Sequence, residues 1–379
     1  MSKLYIFFPH CYVKATTREL LVYDTLTFEH IYMKDVILSK LHIDMLNQFG
    51  CFEEDDDTKP IARRIEGYNL GYHIQYKEQR PYIPERKLRI ATSLDKERKA
   101  LGHNLTSNTN MMLKSLTILL NNTTLIALNT LAYNQLDYPE ANSSDIDLKK
   151  ICVQLSPFFL ESITLSGELP YNQLEKFLLF TQRRRIQVIY QIHYLAYPFQ
   201  YIQELLYKFK TLIIEVLFDS YIPYDFIKSK EKRLFFKYII TSSNIDMVQE
   251  TRSDVIICPV FLDAKTITLQ AQMILTENEI FQSRQSLKEC YIKENVNPTC
   301  FGHLNINYNG DVHCFTQKIG SLQNEDLPHI INKWVGSKNC LWYLTRKEKE
   351  SCKNCALQAL CPPISIYEYQ HIYKSPCMV

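Results

Sequence analysis

The stretch that decides the fold is ESITLSGELPYNQLEKFLLFTQRRRIQVIYQIHYLAYPFQYIQELLYKFKTLIIEVLF, residues 161–218. It alternates two rhythms. Apolar β-rich runs fall at 161–166, 186–193 and 211–218, and helical spacing fills YNQLEKFLLFTQ (171–182) and YIQELLYKF (201–209). Strand–helix alternation with continuous apolar strands predicts parallel βα units buried on both faces. Working outward, SLTILL (115–120) precedes this stretch, and LFFKYII (234–240) and DVIICPV (254–260) follow it. Six such units predict an open sheet or partial barrel. Ligands of parallel sheets sit at the carboxyl ends of the strands, so Gly167 and Glu168 are candidate site residues.

The flanks read differently. Residues 1–32 hold short alternating runs, LYIFF, CYVKAT, ELLVYDTL and FEHIYM, which predict strands. KDVILSKLHIDMLNQFG (34–50) has helical spacing and a glycine stop, and a second helix is expected near Ile61. Between them Glu53 to Asp57 are five consecutive acids, expected as a solvated loop. Pro81 and Pro84 open a connecting segment. Near the other end, HLNINYNGDVHCF (303–315) predicts a hairpin with a two-residue Asn309-Gly310 turn of positive φ, and a helix follows at about 327–335.

Composition limits the function. With 43 Lys+Arg against 41 Asp+Glu, the net charge of +2 excludes a polybasic nucleic-acid wrapper. The 46% hydrophobic content supplies a real core. No glycine-rich phosphate loop occurs among only 9 Gly. No apolar run reaches the roughly 18–20 residues of a membrane span, and the N-terminus lacks the pattern of a secretory signal. A cytoplasmic protein is expected.

Cysteine placement is the most informative feature. Of 12 Cys, four lie in the first 289 residues and eight in the last 90. In a cytosolic chain such an excess reads as metal or cluster ligands rather than disulfides. The tail runs Cys340-x11-Cys352-x2-Cys355-x5-Cys361-x15-Cys377. Cys352, Cys355, Cys361 and Cys377 are the four thiolates a [4Fe-4S] cluster needs. Zinc remains open, although zinc ribbons usually present two CxxC pairs, and so do packed free thiols. Cys300 precedes the hairpin and Cys314 lies within it, and with Cys340 or Cys290 they make a possible second metal site. His303, His313 and His329 lie nearby in sequence, where a lone His is usually a surface or hydrogen-bonded residue.

CxxC-x5-C after a Cys…Asn-Gly-Asp…Cys hairpin resembles the SPASM domain, the auxiliary iron–sulfur extension of radical SAM peptide maturases. The run CKNCALQALCPPISIYEY (352–369), preceded by Trp342 and Arg346, is most similar to pseudo-radical-SAM proteins of GG-Bacteroidales-type peptide-modification systems. The resemblance implies three regions: a winged-helix-like leader-recognition module (1–85), a degenerate radical-SAM-like partial six-stranded (β/α) barrel (110–285) and a SPASM-like iron–sulfur domain (286–379). Active members carry CxxxCxxC after the first barrel strand. The matching stretch here is NNTTLIALNTLAYNQ (121–135), with Leu125, Asn129 and Ala132 at the thiol positions, and no cysteine lies between Cys51 and Cys152. Leu and Ala cannot bind iron, so no S-adenosylmethionine is expected. The family's GGEP looks reduced to Gly167-Glu168-Leu169-Pro170. Ser365 stands where the full domain has another cysteine. By the resemblance, Cys352, Cys355, Cys361 and Cys377 hold the second auxiliary cluster, and the first lacks a ligand unless Cys290 or Cys340 substitutes.

The resemblance implies an accessory protein of ribosomal-peptide maturation. It would bind a precursor leader by strand addition, an active radical SAM maturase, or both. A winged helix can also read DNA, but the acidic run and neutral charge argue against that. Two alternatives stand beside it. One is an enzyme of unidentified non-radical chemistry at the strand ends, where Tyr133, Asn134, Glu168 and His193 are polar; no catalytic residue is assigned. The other is a zinc-stabilised binding scaffold.

Overall fold

The structure, a computed structural model, describes residues 3–75, 112–120, 147–218, 226, 228–229, 231–240, 255–259 and 275–369. The chain forms two compact units. One comprises Met1–Ala100, Ile274–Thr299 and Trp342–Val379; the other comprises Leu101–Met273 and Cys300–Leu341.

In the second unit the six expected strands are present: β7 (Ser115–Leu119), β8 (Ser162–Ser166), β9 (Gln187–His193), β10 (Leu212–Phe218), β11 (Leu234–Ile240) and β12 (Val255–Pro259). All are parallel and adjacent in chain order. Helices α3 (Leu148–Gln154), α4 (Tyr171–Arg183) and α5 (Phe199–Lys208) lie between them. Helix α4 packs on β9 and α5 on β10. Helix α4 turns Leu174, Phe177 and Leu178 inward, and α5 turns Ile202, Leu205 and Leu206 inward, the 3–4 spacing of an amphipathic helix.

The sheet continues beyond the six. β13 (His303–Ile306) pairs in parallel with β7, and β14 (Asp311–Cys314) and β15 (Gln317–Ser321) follow antiparallel, giving nine strands. Gly302 makes the join. Its carbonyl accepts from the Lys114 and Ser115 amides, and at φ +73° a Cβ there would sit 2.7 Å from the Met112 carbonyl. The hairpin turn differs from expectation. Only Gly310 has positive φ, the Gly310 amide donates to the Asn307 carbonyl, and Asn307 Oδ1 accepts from the Asn309 and Asp311 amides. Asn307 thus builds an Asx-supported four-residue loop, and Asn309-Gly310 closes it rather than forming it alone. Helix α8 (Leu327–Val335) matches its expected span, capped by Asp326 Oδ1 on the His329 amide.

In the first unit β1 (Lys3–Phe7) lies between β5 (Cys51–Glu54) and β6 (Gly71–Gln75), all antiparallel. A separate antiparallel sheet comprises β2 (Cys11–Ala15), β3 (Glu19–Asp24) and β4 (His30–Lys34). Helix α1 (Lys40–Phe49) begins later than the spacing predicts, because Ser39 caps it by accepting from the His42 amide. Its left-handed Gly50 returns an amide to the Leu46 carbonyl. Helix α2 covers Lys59–Glu66. The acidic run is only partly a loop. Glu53 and Glu54 belong to β5, and Asp55 Oδ1 accepts from Thr58 N and Oγ1.

The β2–β3–β4 sheet is buried on both faces. Cys11, Val13, Leu20, Val22 and Met33 join one core with Tyr5, Phe7, Leu46 and Phe52. On the other face Tyr12, Leu21 and Tyr23 pack with Ile280 and Phe281 of α6 (Glu277–Gln282), Cys290 of α7 (Leu287–Asn295) and tail residues Ala356, Leu357, Leu360 and Cys361. The tail therefore completes the core begun by the N-terminal strands, each fully buried Leu contributing about 1.5–3 kcal/mol.

Candidate functional site

In the first unit the cysteine-rich tail is organised by Arg346. This side chain, 4% exposed, donates Nε to the Pro362 carbonyl at 2.6 Å and pairs both Nη atoms with the Glu368 carboxylate at 3.0 Å. Nη1 also faces Cys352 Sγ at 3.7 Å. Burial opposes its charge, but the Glu368 carboxylate outweighs that and raises the guanidinium's pKa. One planar cation thus ties residues 346, 352, 362 and 368 together. Cys352 also meets Ser351 Oγ, and its carbonyl accepts from Gln358 Nε2.

A second cation stands at Cys361. Lys293 Nζ donates to its carbonyl at 3.1 Å, and burial lowers the ammonium's pKa while Cys290 and Cys361 oppose the shift. Cys352 and Cys361 are buried and Cys355 is half-buried. This set fits a thiolate-held centre chemically. Of three sulfurs within ten residues, Cys352 and Cys361 stand near a guanidinium and an ammonium that offset the negative charge thiolates bring. The three are not drawn together as tightly as ligands of a single ion: among the described residues no group containing them has all its ligand atoms within 4.8 Å of one another. A four-iron cube holds its thiolates farther apart than one ion does. Cys377 lies outside the described residues. Ser365 has its own local role, its Oγ accepting from the Glu368 amide at the start of the short helix Ile366–Tyr369.

The remaining cysteines fall into two places. Cys290 belongs to the first unit, in the core shared with Cys355 and Cys361, and burial pushes its thiol up to about 12. Cys300, Cys314 and Cys340 belong to the second unit and are buried. Cys300 donates to the Leu341 carbonyl at 3.4 Å, and a hydrogen bond to Cys300, with burial, raises the Cys314 thiol strongly. The structure thus brings Cys300 beside Cys314 and places Cys290 with the tail cysteines.

The large sheet holds a feature that the strand patterns conceal. Its register aligns Ser115 and Thr117, Ser166, Gln191 and His193, Glu215, Lys237, and His303 and Asn305 on one face. The opposite face carries Leu116, Ile163, Val188, Ile214, Phe236 and Leu304. The strands are apolar on one side and mixed on the other, where these polar groups alternate with Leu119, Ile189, Ile213, Leu217 and Phe235, so the expectation of continuous apolar strands holds for one face only. Two hydrogen-bonded chains run across the polar side. His303 Nδ1 meets Ser115 Oγ at 2.8 Å, and its Nε2 meets Asn305 Oδ1 at 2.9 Å and Thr117 Oγ1 at 3.2 Å. Burial lowers the His303 pKa and favours the neutral ring. Farther along, Gln191 Nε2 donates to Glu215 Oε2 at 2.6 Å, and Lys237 Nζ pairs with the same oxygen at 2.7 Å. Ser166 Oγ and Gln191 Oε1, register neighbours, are buried without a hydrogen-bond partner among the described residues.

The βα loop after β8 is rigidly held. Gly167 adopts φ +111°, its amide donates to the Gln191 carbonyl, and the Tyr197 hydroxyl bridges the Leu169 amide and carbonyl. Glu168 follows Gly167 there, and His193 is buried at the end of β9. Leu125, Asn129, Ala132, Tyr133 and Asn134 lie outside the described residues. His313 is half-buried on β14, and His329 lies on α8 beside Glu325 at 3.3 Å.

No family model matches the sequence, and no curated protein matches it. Solved structures with a similar chain trace include Streptococcus suis SuiB, at TM-score 0.42 and 12% identity over 98% of this chain and 97% of that one. SuiB bound to its precursor peptide SuiA aligns at TM-score 0.39 and 12% identity, over 98% of both chains. The protein anSMEcpe with bound AdoMet and Cp18Cys peptide aligns at TM-score 0.39 and 11% identity, over 65% of this chain and 88% of that one. Superpositions of this order are loose. Among the described residues, no helix is long and apolar enough to cross a membrane.

Proposed function

We propose that this chain is an accessory, pseudo-radical-SAM protein of ribosomal-peptide maturation, which binds a precursor leader, an active radical SAM maturase, or both. The supporting observation is an asymmetry of sulfur. The tail keeps Cys352, Cys355 and Cys361, with Arg346 at Cys352 and Lys293 at Cys361, while no cysteine lies between Cys51 and Cys152, where the triad of an active enzyme belongs. Cys352, Cys355, Cys361 and Cys377 would hold one [4Fe-4S] cluster, which supplies structural support or electron transfer when bound. Arg346 and Lys293 place positive charge at that centre. Sheet edges of the N-terminal strands offer main-chain groups to an extended leader.

Anaerobically purified protein tests this reading. It should contain about four iron and four sulfide per chain. It should bring down its co-expressed precursor or a maturase, and should not cleave S-adenosylmethionine under reducing conditions. Reductive cleavage to 5′-deoxyadenosine overturns the accessory role, and colourless protein with stoichiometric zinc replaces the cluster by a zinc scaffold.

The polar sheet face favours a second reading, an enzyme of non-radical chemistry. The buried Ser166 Oγ and Gln191 Oε1 supply unused hydrogen-bonding capacity beside the Glu215–Lys237 pair. Turnover of precursor peptide by the isolated protein, abolished by Gln191→Leu, would promote it.

A further inference from the structure

We propose that His10, Cys11 and Asp24 form a binding site for a divalent transition-metal cation of the zinc class, separate from the tail cysteines. Among the described residues they are the one group of three or more His, Cys, Asp or Glu whose ligand atoms all lie within 4.8 Å of one another. The topology explains the convergence. Cys11 and Asp24 are register partners across β2 and β3, so their side chains leave the sheet on the same side. His10 immediately precedes Cys11, and its Nε2 is 3.1 Å from Asp24 Oδ2.

The ligands are held in place by bonds that use other atoms. Asp24 Oδ1 is occupied by the Leu26 and Thr27 amides at 2.8 and 3.1 Å, which leaves Oδ2 facing His10. The His10 carbonyl accepts from Thr25 Oγ1 at 2.7 Å, locking its backbone to the same turn. The imidazole stacks on Phe8, with rings 8° from parallel. Burial opposes the Asp24 charge, but those amides and His10 prevail and lower its pKa, so the carboxylate is ionised at neutral pH.

The donor set selects the ion. One imidazole, one thiolate and one carboxylate together balance a 2+ charge and suit zinc among common divalent ions. Magnesium and calcium prefer all-oxygen shells of six or more ligands. Three protein ligands leave a fourth position, and the one-third-exposed His10 side chain provides the route from solvent. Without an ion, Cys11 is a buried thiol that donates to the Leu70 carbonyl at 3.6 Å, and His10 Nε2 is hydrogen-bonded to Asp24 Oδ2. With one, the Cys11 S–H bond breaks, the sulfur–metal bond forms and the thiol proton leaves to water, while His10 coordinates through an unprotonated ring nitrogen, any second ring proton leaving likewise. The ion would staple the turn between β1 and β2 to the turn after β3.

The test is a Co²⁺ titration of the full chain after metal removal, followed by Zn²⁺ competition. Wild-type protein should take up one equivalent more than Cys11→Ser, with a matching loss of sulfur-to-cobalt charge transfer. His10→Ala and Asp24→Asn should each weaken that equivalent about tenfold or more. Tail cysteines contribute equally in all four proteins, so the difference isolates this site whatever the tail binds. His10 is partly exposed, so its variant decides the matter even where Cys11→Ser fails to fold. Equal stoichiometry and affinity in wild type, His10→Ala and Asp24→Asn overturn the proposal.

Discussion

Arg346 and Glu368 meet as a two-pronged ion pair, each guanidinium nitrogen 3.0 Å from its own carboxylate oxygen, with the side chains only 4% and 0% exposed. A pair this dry is not a large net source of stability, since both ions give up water to form it. It fixes geometry instead, holding the 362–368 segment against Cys352. Removing one partner strands the other. Glu368→Gln should destabilise the unit by about 3–5 kcal/mol, read as a lower denaturant midpoint, and should lower the metal content of the tail. Arg346→Lys should lose stability as well, because an ammonium cannot reproduce the fork. Unchanged stability in Glu368→Gln would show that the pair is not formed in solution.

Glu294 on α7 supplies a pH dependence. Burial alone would raise its pKa, but Lys14 at 2.8 Å and the Tyr12 hydroxyl at 3.0 Å hold it below the ordinary value of 4.5. A carboxyl depressed in the folded state adds stability that is fully present above its unfolded pKa and is lost as pH falls through the folded one. Wild type should therefore lose stability more steeply than Glu294→Gln as pH drops from about 5 downward. Urea midpoints measured at pH 7, 5 and 4 check this. Parallel curves for the two proteins would remove Glu294 from the acid response.

How much of this was legible in the sequence follows from where each signal resides. Strand limits such as 234–240 and the helix 327–335 are local matters of apolar spacing and capping, and the chain adopts them as read. The polar sheet face is not local. LIIEVLF carries Glu215 and QVIYQIH carries Gln191 and His193 inconspicuously within apolar runs, and only the parallel register sets Glu215 opposite Gln191. The pairing of β13 with β7 joins residues nearly two hundred positions apart, which no spacing rule reaches. The tail cysteines stood out by their clustering. Arg346, already conspicuous beside them, acquires its role only when Glu368 folds back onto it.

That long-range join gives a direct test at Gly302. Its φ of +73° is open to glycine, and a methyl group would press on the Met112 carbonyl at 2.7 Å. Gly302→Ala should destabilise the second unit by about 1–3 kcal/mol. Hydrogen exchange should accelerate first at the Lys114 and Ser115 amides, which bond to the Gly302 carbonyl. Exchange unchanged at both amides would mean that β13 does not pair with β7.

Thiol labelling separates the cysteines by environment. In metal-free native protein, Cys290, Cys300 and Cys314 are buried; burial holds Cys290, and a hydrogen bond to Cys300 together with burial holds Cys314, in the unreactive thiol form. Cys355 is half-buried between two turns. It should react with iodoacetamide faster than those three, as peptide mass spectrometry after timed quenching will report. Metal loading reverses the order for one group only. Cys355 should become protected together with Cys352 and Cys361, and a chelator should restore its labelling, while Cys300 and Cys314 stay unreactive in both states. If Cys355 labels equally fast with and without metal, it is not a ligand, and the ligand set proposed for the tail fails.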